Sequence, residues 1–182
     1  TIDLSAFYFD IRKDTLYCDP KESTKRKNSI IVLNIILESL LKWFAPILSF
    51  TTEEIFTLLN KEKKSIHLEE FIKFPKSFEN IKLNEKWIEL KKIRDICNIS
   101  IEAKRVSKEI GSSLEANLTI NINNEQSNFI ENIDLAELCI TSEVNIIKTN
   151  DKEIKVETIK AEGKKCPICW KISKDRCQRH ST

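Results

Sequence analysis

The residues whose types and spacing could do chemistry lie near the end of the chain. Cys166 and Cys169 are separated by two residues, and after seven more residues Cys177 and His180 repeat that spacing. A pair of donors spaced in this way can curl around one ion, and two pairs complete a tetrahedron. Three thiolates and one imidazole therefore predict a zinc site. The segment has almost no apolar core of its own, so metal binding would supply its folding free energy.

Two other interpretations of the cysteines remain open. A single Cys-x-x-Cys pair can form a disulfide or a redox centre, and the cysteines can also stay without any ligand. A redox pair normally opens a helix after a strand, whereas Cys166 and Cys169 stand in a lysine-rich turn. Redox chemistry also leaves the second pair unexplained. We therefore expect one structural zinc ion, bound by Cys166, Cys169, Cys177 and His180.

Basic and aromatic side chains near this motif could contact a nucleic acid. From Ala161 to Thr182, six basic and two acidic residues give a net charge of +4, within a chain whose total is +2. The basic side chains of this tail can pair with phosphates, or they can simply be solvated. Trp170, directly after Cys169, could either cover the metal or stack on a base. His67 stands alone in the sequence, and packing explains it better than metal binding.

The composition excludes some functions. The 182 residues are 41% hydrophobic and 32% charged, which predicts a folded protein with a charged surface. With only 2 glycines, a glycine-rich phosphate loop cannot be built. The chain has no methionine and starts at Thr1, so we expect a piece of a longer protein. Charges and a proline interrupt Ile30–Phe50, and the scattered cysteines favour a reducing compartment, so we expect a cytoplasmic location and no membrane contact.

Helical periodicity dominates the first part of the chain. Apolar residues recur at helical spacing from Lys25 to Phe44, and Ala45-Pro46 should end that helix. A second long helix is predicted from Asn84 to Ile110, with Gly111 as its left-handed cap. On its charged face Arg94, Lys104 and Arg105 could contact phosphates, although a solvated helix face explains each of them as well.

The pattern changes after this helix. Leu118–Ile122 and Ile154–Ile159 alternate as strands do, and two apolar stretches within Leu135–Ile147, LCIT and VNII, also look like strands. The sequence therefore predicts a mainly α protein in three parts. These are a helical bundle over residues 1–112, a small α+β module over 113–160 and a zinc-binding knuckle over 161–182.

Five ordered segments resemble the C-terminal, tRNA-binding region of bacterial isoleucyl-tRNA synthetases and span nearly the whole chain. They resemble the start of the anticodon-binding region, the "LAPILSFTAEE" helix junction, the "SVHLEEF" segment, the "IGSSLEA" helix end and the terminal zinc peptide of that family. The segments are Asp3–Lys13 with Leu16–Asp19, Leu41–Ile55, Ser65–Phe71, Glu102–Arg105 with Lys108–Ala116, and Lys165–Trp170. The family's zinc peptide usually has a longer gap and often ends in Cys-x-x-Cys, where this chain has seven residues and His180.

The resemblance implies a function that composition does not show. Such a region binds the anticodon stem-loop of isoleucine tRNA, and the full enzyme joins isoleucine to that tRNA with ATP and magnesium held in a catalytic domain. The chain lacks HIGH-like and KMSKS-like motifs, so alone it should be inactive. The expected partners are this tRNA and the rest of the synthetase chain, in a monomer. Residues expected near the RNA are Trp170, Lys171, Arg176, Arg179, Arg94, Lys104 and Arg105.

Two other functions remain to be weighed. A related zinc peptide ends the formamidopyrimidine-DNA glycosylases, which extrude a damaged base, but nothing in Thr1–Lys160 resembles that enzyme. A structural interaction module with a redox switch in the cysteine pair is the other alternative. Metal content would distinguish the redox module from the synthetase and glycosylase hypotheses. Binding to RNA or to DNA would distinguish the synthetase hypothesis from the glycosylase hypothesis.

Overall fold

A computed structural model describes residues 2–60, 62, 65–177 and 179–180 of the chain. These residues form two compact units. One unit is Asp19–Glu79, and the other combines the described parts of Thr1–Cys18 and Asn80–Thr182. The larger unit is therefore discontinuous in sequence, with the smaller one inserted into it. The three consecutive domains expected from the sequence stay a prediction, and the two units cut across the boundary at residue 112.

The smaller unit is built from two α-helices. Helix α2 spans Thr24–Phe44, in agreement with the predicted helix, and the Ser23 hydroxyl caps it by accepting from the Arg26 amide. Helix α3 spans Ser49–Leu59. Two short 3₁₀ turns follow, Ile66–Leu68 and Lys76–Phe78. The buried residues that hold this unit together are Leu41, Ala45, Phe56 and Ile66.

The helices of the larger unit come from both of its sequence segments. A π-helical segment, Ile2–Phe9, leads into helix α1, Asp10–Cys18. Helix α4 spans Ile81–Val106 and is capped at its start by the Asn80 side chain. Its buried residues recur every three or four positions, so one face of the helix packs into the core while the other stays charged. These buried residues are Leu90, Ile93, Cys97 and Ile101.

A three-stranded sheet completes the larger unit. Its strands are β1 (Ala116–Ile122), β2 (Glu143–Lys148) and β3 (Lys155–Lys160), in the order β2-β1-β3. Every second residue of β1 is fully buried, as expected for a central strand. Strand β3 pairs with β1 in antiparallel fashion, and β2 pairs with it in parallel. A parallel pair needs a crossover, which the short helices α5 (Asn124–Ile130) and α6 (Leu135–Leu138) provide.

Two local predictions are wrong. Helix α4 ends before Gly111, because Lys108 takes the left-handed conformation with φ of 60° and its amide bonds back to Arg105. The LCIT stretch is not a strand, since Leu138 closes α6 and Ile140 turns the chain with φ of 56°. The predicted fold class is confirmed, with a mainly helical protein and a small sheet. No helix in the described part of the chain is long and apolar enough to cross a membrane.

Candidate metal centre and its surroundings

A two-stranded ribbon positions the first pair of cysteines. We call the described part of residues 161–182 the knuckle. Its strands β4 (Lys164–Lys165) and β5 (Ile172–Ser173) pair in antiparallel fashion. Between them the chain reverses, as the Trp170 amide donates to the Cys166 carbonyl at 3.0 Å and the Cys166 amide to the Lys171 carbonyl at 2.9 Å. This turn brings Cys166 and Cys169 to the same side.

A glycine allows the ribbon to close. Gly163 has a φ of 130°, a conformation that side chains rarely adopt, and a Cβ there would lie 2.1 Å from the Ser173 carbonyl oxygen. The side chain of Ser142, which lies outside the knuckle, accepts a hydrogen bond from the Ile172 amide at 2.7 Å and donates to the Leu114 carbonyl. The ribbon is therefore tied to the sheet-containing body of the larger unit.

The four predicted ligands lie together. The donor atoms of Cys166, Cys169, Cys177 and His180 all fall within 4.8 Å of one another. His180 Nδ1 is 3.4 Å from the sulfur of Cys166 and 3.4 Å from that of Cys177. The sulfurs of Cys169 and Cys177 are 3.8 Å apart.

The three pair distances of 3.4, 3.4 and 3.8 Å fit a tetrahedral ion. With Zn–S bonds of about 2.3 Å and Zn–N bonds of about 2.0 Å, neighbouring corners of a tetrahedron are roughly 3.4–3.8 Å apart. Cys166 and Cys169 are buried, and Cys177 and His180 are half-buried, so the site is largely closed to solvent. A closed site with four protein ligands is typical of a structural metal rather than a catalytic one.

Without a cation, the thiols of the cluster hold their protons. Burial, together with the hydrogen bonds that Cys169 makes with the sulfurs of Cys166 and Cys177, raises the pKa of the Cys169 thiol to about 12. Crowded thiols that resist ionisation are stabilised as thiolates when a divalent ion binds, because the ion offsets their mutual repulsion. Metal binding at this cluster would therefore release protons.

Helix α1 supplies an outer set of contacts. His180 Nε2 donates to the Cys18 carbonyl at 2.8 Å, which leaves Nδ1 as the nitrogen that faces the sulfurs. This hydrogen bond also raises the pKa of His180. Arg179 forms an ion pair with Asp14, and the Cys18 thiol donates to the Ile168 carbonyl at 3.6 Å. A hydrogen bond such as the one from His180 Nε2 to the Cys18 carbonyl fixes the orientation of a metal-binding imidazole.

Sequence reasoning did not find these α1 contacts. Asp14 and Cys18 are far from the cysteine motif in the sequence, and no local pattern marks them as its neighbours. The same holds for Ser142, which bridges the ribbon and the body of the unit. Only the fold brings these residues to the cluster.

The candidate RNA-binding residues of the knuckle differ in their surroundings. The Trp170 side chain is 59% exposed, with the Lys165 ammonium 5.5 Å from its ring centre. Arg176 is exposed and Lys171 is half-buried. Arg179 is held by its ion pair with Asp14. Trp170 and Arg176 are therefore the more accessible of the four.

The three candidates on helix α4 are each held by an ion pair within the protein. Lys104 and Arg105 lie near the end of α4, where they pair with Glu109 and Glu102. The Arg94 side chain is only 12% exposed. Its Nε donates to the Leu138 carbonyl at 2.9 Å, and its guanidinium lies 5.3 Å from the centre of the Phe7 ring. The RNA contacts proposed for these residues stay predictions.

We expect Arg94→Ala to lower the free energy of unfolding by about 2 kcal/mol, because it removes a charged hydrogen bond to a buried carbonyl. Arg105→Ala is the matched control on the same helix, since its half-exposed ion pair with Glu102 contributes at most about 0.5 kcal/mol. Urea denaturation followed by circular dichroism measures both. Equal effects of the two substitutions would show that the Arg94 contacts do not stabilise the fold.

Comparisons with known proteins show that the chain is similar to tRNA ligases along its whole length. Residues 1–120 match the family model described as the anticodon-binding domain of tRNA ligase. The chain is 69% identical over 181 residues to the isoleucine–tRNA ligase of Pelagibacter ubique, an alignment that covers 100% of this chain. It is 41% identical to the corresponding ligase of Bartonella henselae over 95% of the chain, and 38% identical to that of Agrobacterium fabrum over 96%. The chain spans about a fifth of the length of these curated relatives.

Proposed function

Because the chain belongs to the isoleucine–tRNA ligase family and carries its anticodon-binding domain, we propose that it binds the anticodon stem-loop of isoleucine tRNA. In this proposal it is the C-terminal, tRNA-binding portion of an enzyme that joins isoleucine to tRNA. The rest of that enzyme holds the ATP and magnesium and works with this portion in one cytoplasmic, monomeric chain. The observation that carries the proposal is similarity to isoleucine–tRNA ligases along the full length of the chain.

The metal belongs to the same proposal. Cys166, Cys169, Cys177 and His180 would hold one structural zinc ion, which the spacing of their donor atoms supports. Zinc supplies no chemical step here, because four protein ligands leave no open position for a substrate. Its role would be to hold the ribbon turn, and with it Trp170 and Lys171, at a fixed place beside α1.

The electrostatics support an RNA partner for the knuckle. In the described part of the knuckle, basic side chains outnumber acidic ones, and Lys164, Arg176 and Trp170 are exposed. Cations of this kind bind phosphates by releasing counterions, while RNA specificity comes from unstacked bases in loops. Such a surface suits an anticodon loop better than a continuous duplex.

We expect the full-length protein to bind isoleucine tRNA at least tenfold more tightly than the same tRNA with a substituted anticodon. The logarithm of the affinity should fall linearly with the logarithm of the salt concentration, because phosphate contacts release counterions. Fluorescence anisotropy over a salt series measures both quantities. A duplex DNA of equal charge is the control for non-specific binding.

Equal affinities for the three nucleic acids would contradict the proposed function. If the protein binds both tRNAs and the DNA with equal affinity at each salt concentration, recognition of the anticodon is excluded. Tighter binding to DNA than to tRNA would favour the glycosylase-like alternative.

A further inference from the structure

The three cysteines of the knuckle differ in how far solvent can reach them. Cys166 and Cys169 are only 5% and 4% exposed. Cys177 is half-buried and directly follows three exposed residues, Lys174 to Arg176. An oxidant that arrives from solution therefore meets the side chain of Cys177 first.

Cys177 also lies close to a second sulfur, that of Cys169. Cys177 follows strand β5 in a stretch without helix or strand, whereas Cys169 stands in the ribbon turn, which backbone hydrogen bonds close. The two sulfurs are 3.8 Å apart. Because a disulfide places its sulfurs about 2.05 Å apart, a shift of roughly 1.8 Å along the line that joins them allows a covalent bond.

The cysteines of the core provide a contrast. Cys97 and Cys139 are 0% and 2% exposed and belong to the main core of the larger unit. Oxidants attack sulfurs that are both accessible and ionised, and a thiol in an apolar core is neither. A cysteine that binds a metal does so as a thiolate. Cys177 meets both requirements, since it is accessible and belongs to the metal cluster.

We propose that Cys177 is an oxidation site, at which hydrogen peroxide forms a disulfide between Cys177 and Cys169 and so opens the metal centre. First the Cys177 sulfur attacks one peroxide oxygen, the O–O bond breaks, and a sulfenic acid forms while hydroxide leaves. The Cys169 sulfur then attacks the Cys177 sulfur, and the S–O bond breaks as a second hydroxide leaves. Two protons from solvent convert both hydroxides to water. The two thiolates thereby lose two electrons, which the peroxide gains.

The disulfide leaves the metal centre with two ligands. Cys166 and His180 remain, with 3.4 Å between the sulfur and Nδ1. Two donors do not complete a tetrahedral structural site, so the chain no longer retains the ion. A dithiol reductant reverses the step, because one of its thiolates attacks the disulfide and its second thiolate releases the protein sulfur, leaving the reductant oxidised. The oxidation is therefore reversible.

The effect of this oxidation on RNA binding rests on the proposed function. In that proposal the zinc ion holds the ribbon turn at a fixed place beside α1, so loss of the ion should weaken tRNA binding. The oxidation itself needs no RNA. It also differs from the chemistry of a Cys-x-x-Cys redox pair, because the sulfur that is attacked first belongs to the second half of the motif.

The test treats the full-length, zinc-loaded protein with hydrogen peroxide. We expect release of the zinc ion and a peptide in which Cys169 is linked to Cys177, identified by digestion and mass spectrometry. The metal-free chain should lose about 2 Da relative to its reduced form, the mass of two hydrogen atoms. Cys97 and Cys139 should stay reduced and react with iodoacetamide once the protein is unfolded. Dithiothreitol with added zinc should restore the original metal content.

A variant separates oxidation from metal binding. Cys177→His removes the accessible sulfur but keeps four donors, and two thiolates with two imidazoles also form a structural zinc site. We expect this variant to keep its zinc ion and to release it about tenfold more slowly in peroxide. Cys18→Ser is the matched control, since it removes a neighbouring thiol that is not a ligand, and should release zinc as fast as the unsubstituted protein. If Cys177→His binds no zinc, the disulfide found in the unsubstituted protein still decides.

The outcomes separate this inference from the proposed function. Retention of zinc in peroxide overturns the oxidation site, and so does a disulfide that joins Cys177 to Cys166 or Cys18. Equal rates of zinc release from Cys177→His and the unsubstituted protein overturn it as well. If the Cys169–Cys177 disulfide forms and zinc is released, but the untreated protein does not prefer isoleucine tRNA, the oxidation site stands and only the proposed function falls.

A last measurement tests the effect on RNA. Where the untreated protein does prefer isoleucine tRNA, we expect its affinity for that tRNA to fall roughly tenfold after oxidation, because phosphate contacts of the knuckle are lost. Cys177→His should keep its affinity in peroxide. An unchanged affinity of the oxidised, zinc-free protein would overturn the effect on RNA binding.

Discussion

Replacing Cys166 with serine is expected to reduce the zinc content from one ion per chain to none and to unfold the knuckle, while the helical core stays folded. The four donors depend on one another, since three ligands do not close a tetrahedral structural site. The ribbon strands hold only two residues each, too few to persist without the metal. Structural zinc contributes on the order of 10 kcal/mol to the folding of small metal-dependent segments. Metal analysis and hydrogen exchange measure the two effects.

In Cys166→Ser, faster amide hydrogen exchange is expected in the knuckle alone. Amide protection should disappear at Cys166 and Trp170, whose amides close the ribbon turn, and should persist in α4 and β1. Cys18→Ser is the matched control, because it makes the same chemical change beside the cluster and removes no ligand. This control should keep one zinc per chain. Full protection of the knuckle in zinc-free Cys166→Ser would contradict the structural role of the metal.

Shortening Ile101 to alanine is expected to lower the free energy of unfolding by about 2–5 kcal/mol. Ile101 is 2% exposed and belongs to the main core of the larger unit, alongside residues of β1. Removing its branched side chain loses burial and leaves a cavity that the surrounding residues fill only partly. Denaturation by urea, with the midpoint and slope fitted together, measures the loss.

The same helix offers a control for this substitution. Ile99→Ala changes the same residue type two positions away, at a side chain that is 73% exposed. Helix propensity changes equally in both variants, so the difference between them reports the core alone. We expect Ile99→Ala to stay within about 0.5 kcal/mol of the unsubstituted protein. A similar loss in both variants would show that α4 does not pack as described.

The sequence predicted the helices, strands and ligand spacing whose signals lie in neighbouring residues. The helix from Lys25 to Phe44 was confirmed, because its apolar spacing and Pro46 are signals contained in neighbouring residues. The alternation in Leu118–Ile122 identified β1, since a central strand buries every second side chain. The spacing of the four candidate ligands predicted the cluster in the same way, and the structure brings those four together.

What the sequence could not predict depends on tertiary contacts. The LCIT stretch has the composition of a strand, yet its residues close α6, because the crossover to β2 needs a turn there. The left-handed residue after α4 is Lys108 rather than Gly111, and no local rule favours a lysine. The contact of His180 with Cys18 joins distant parts of the chain. Neither periodicity nor spacing carries information about such pairs.

The insertion of Asp19–Glu79 into the larger unit has a consequence for synthesis on the ribosome. Helix α1 leaves the ribosome before the inserted unit, but its buried Ile11 packs in a core whose other members come from Leu90 onward. At about 5–20 residues per second, α1 waits several seconds for those partners, while the inserted unit is already complete. The smaller unit can therefore fold first although it lies second in the chain. An aggregation-prone interval would then fall on helix α1, and a chaperone would have its best opportunity to act there.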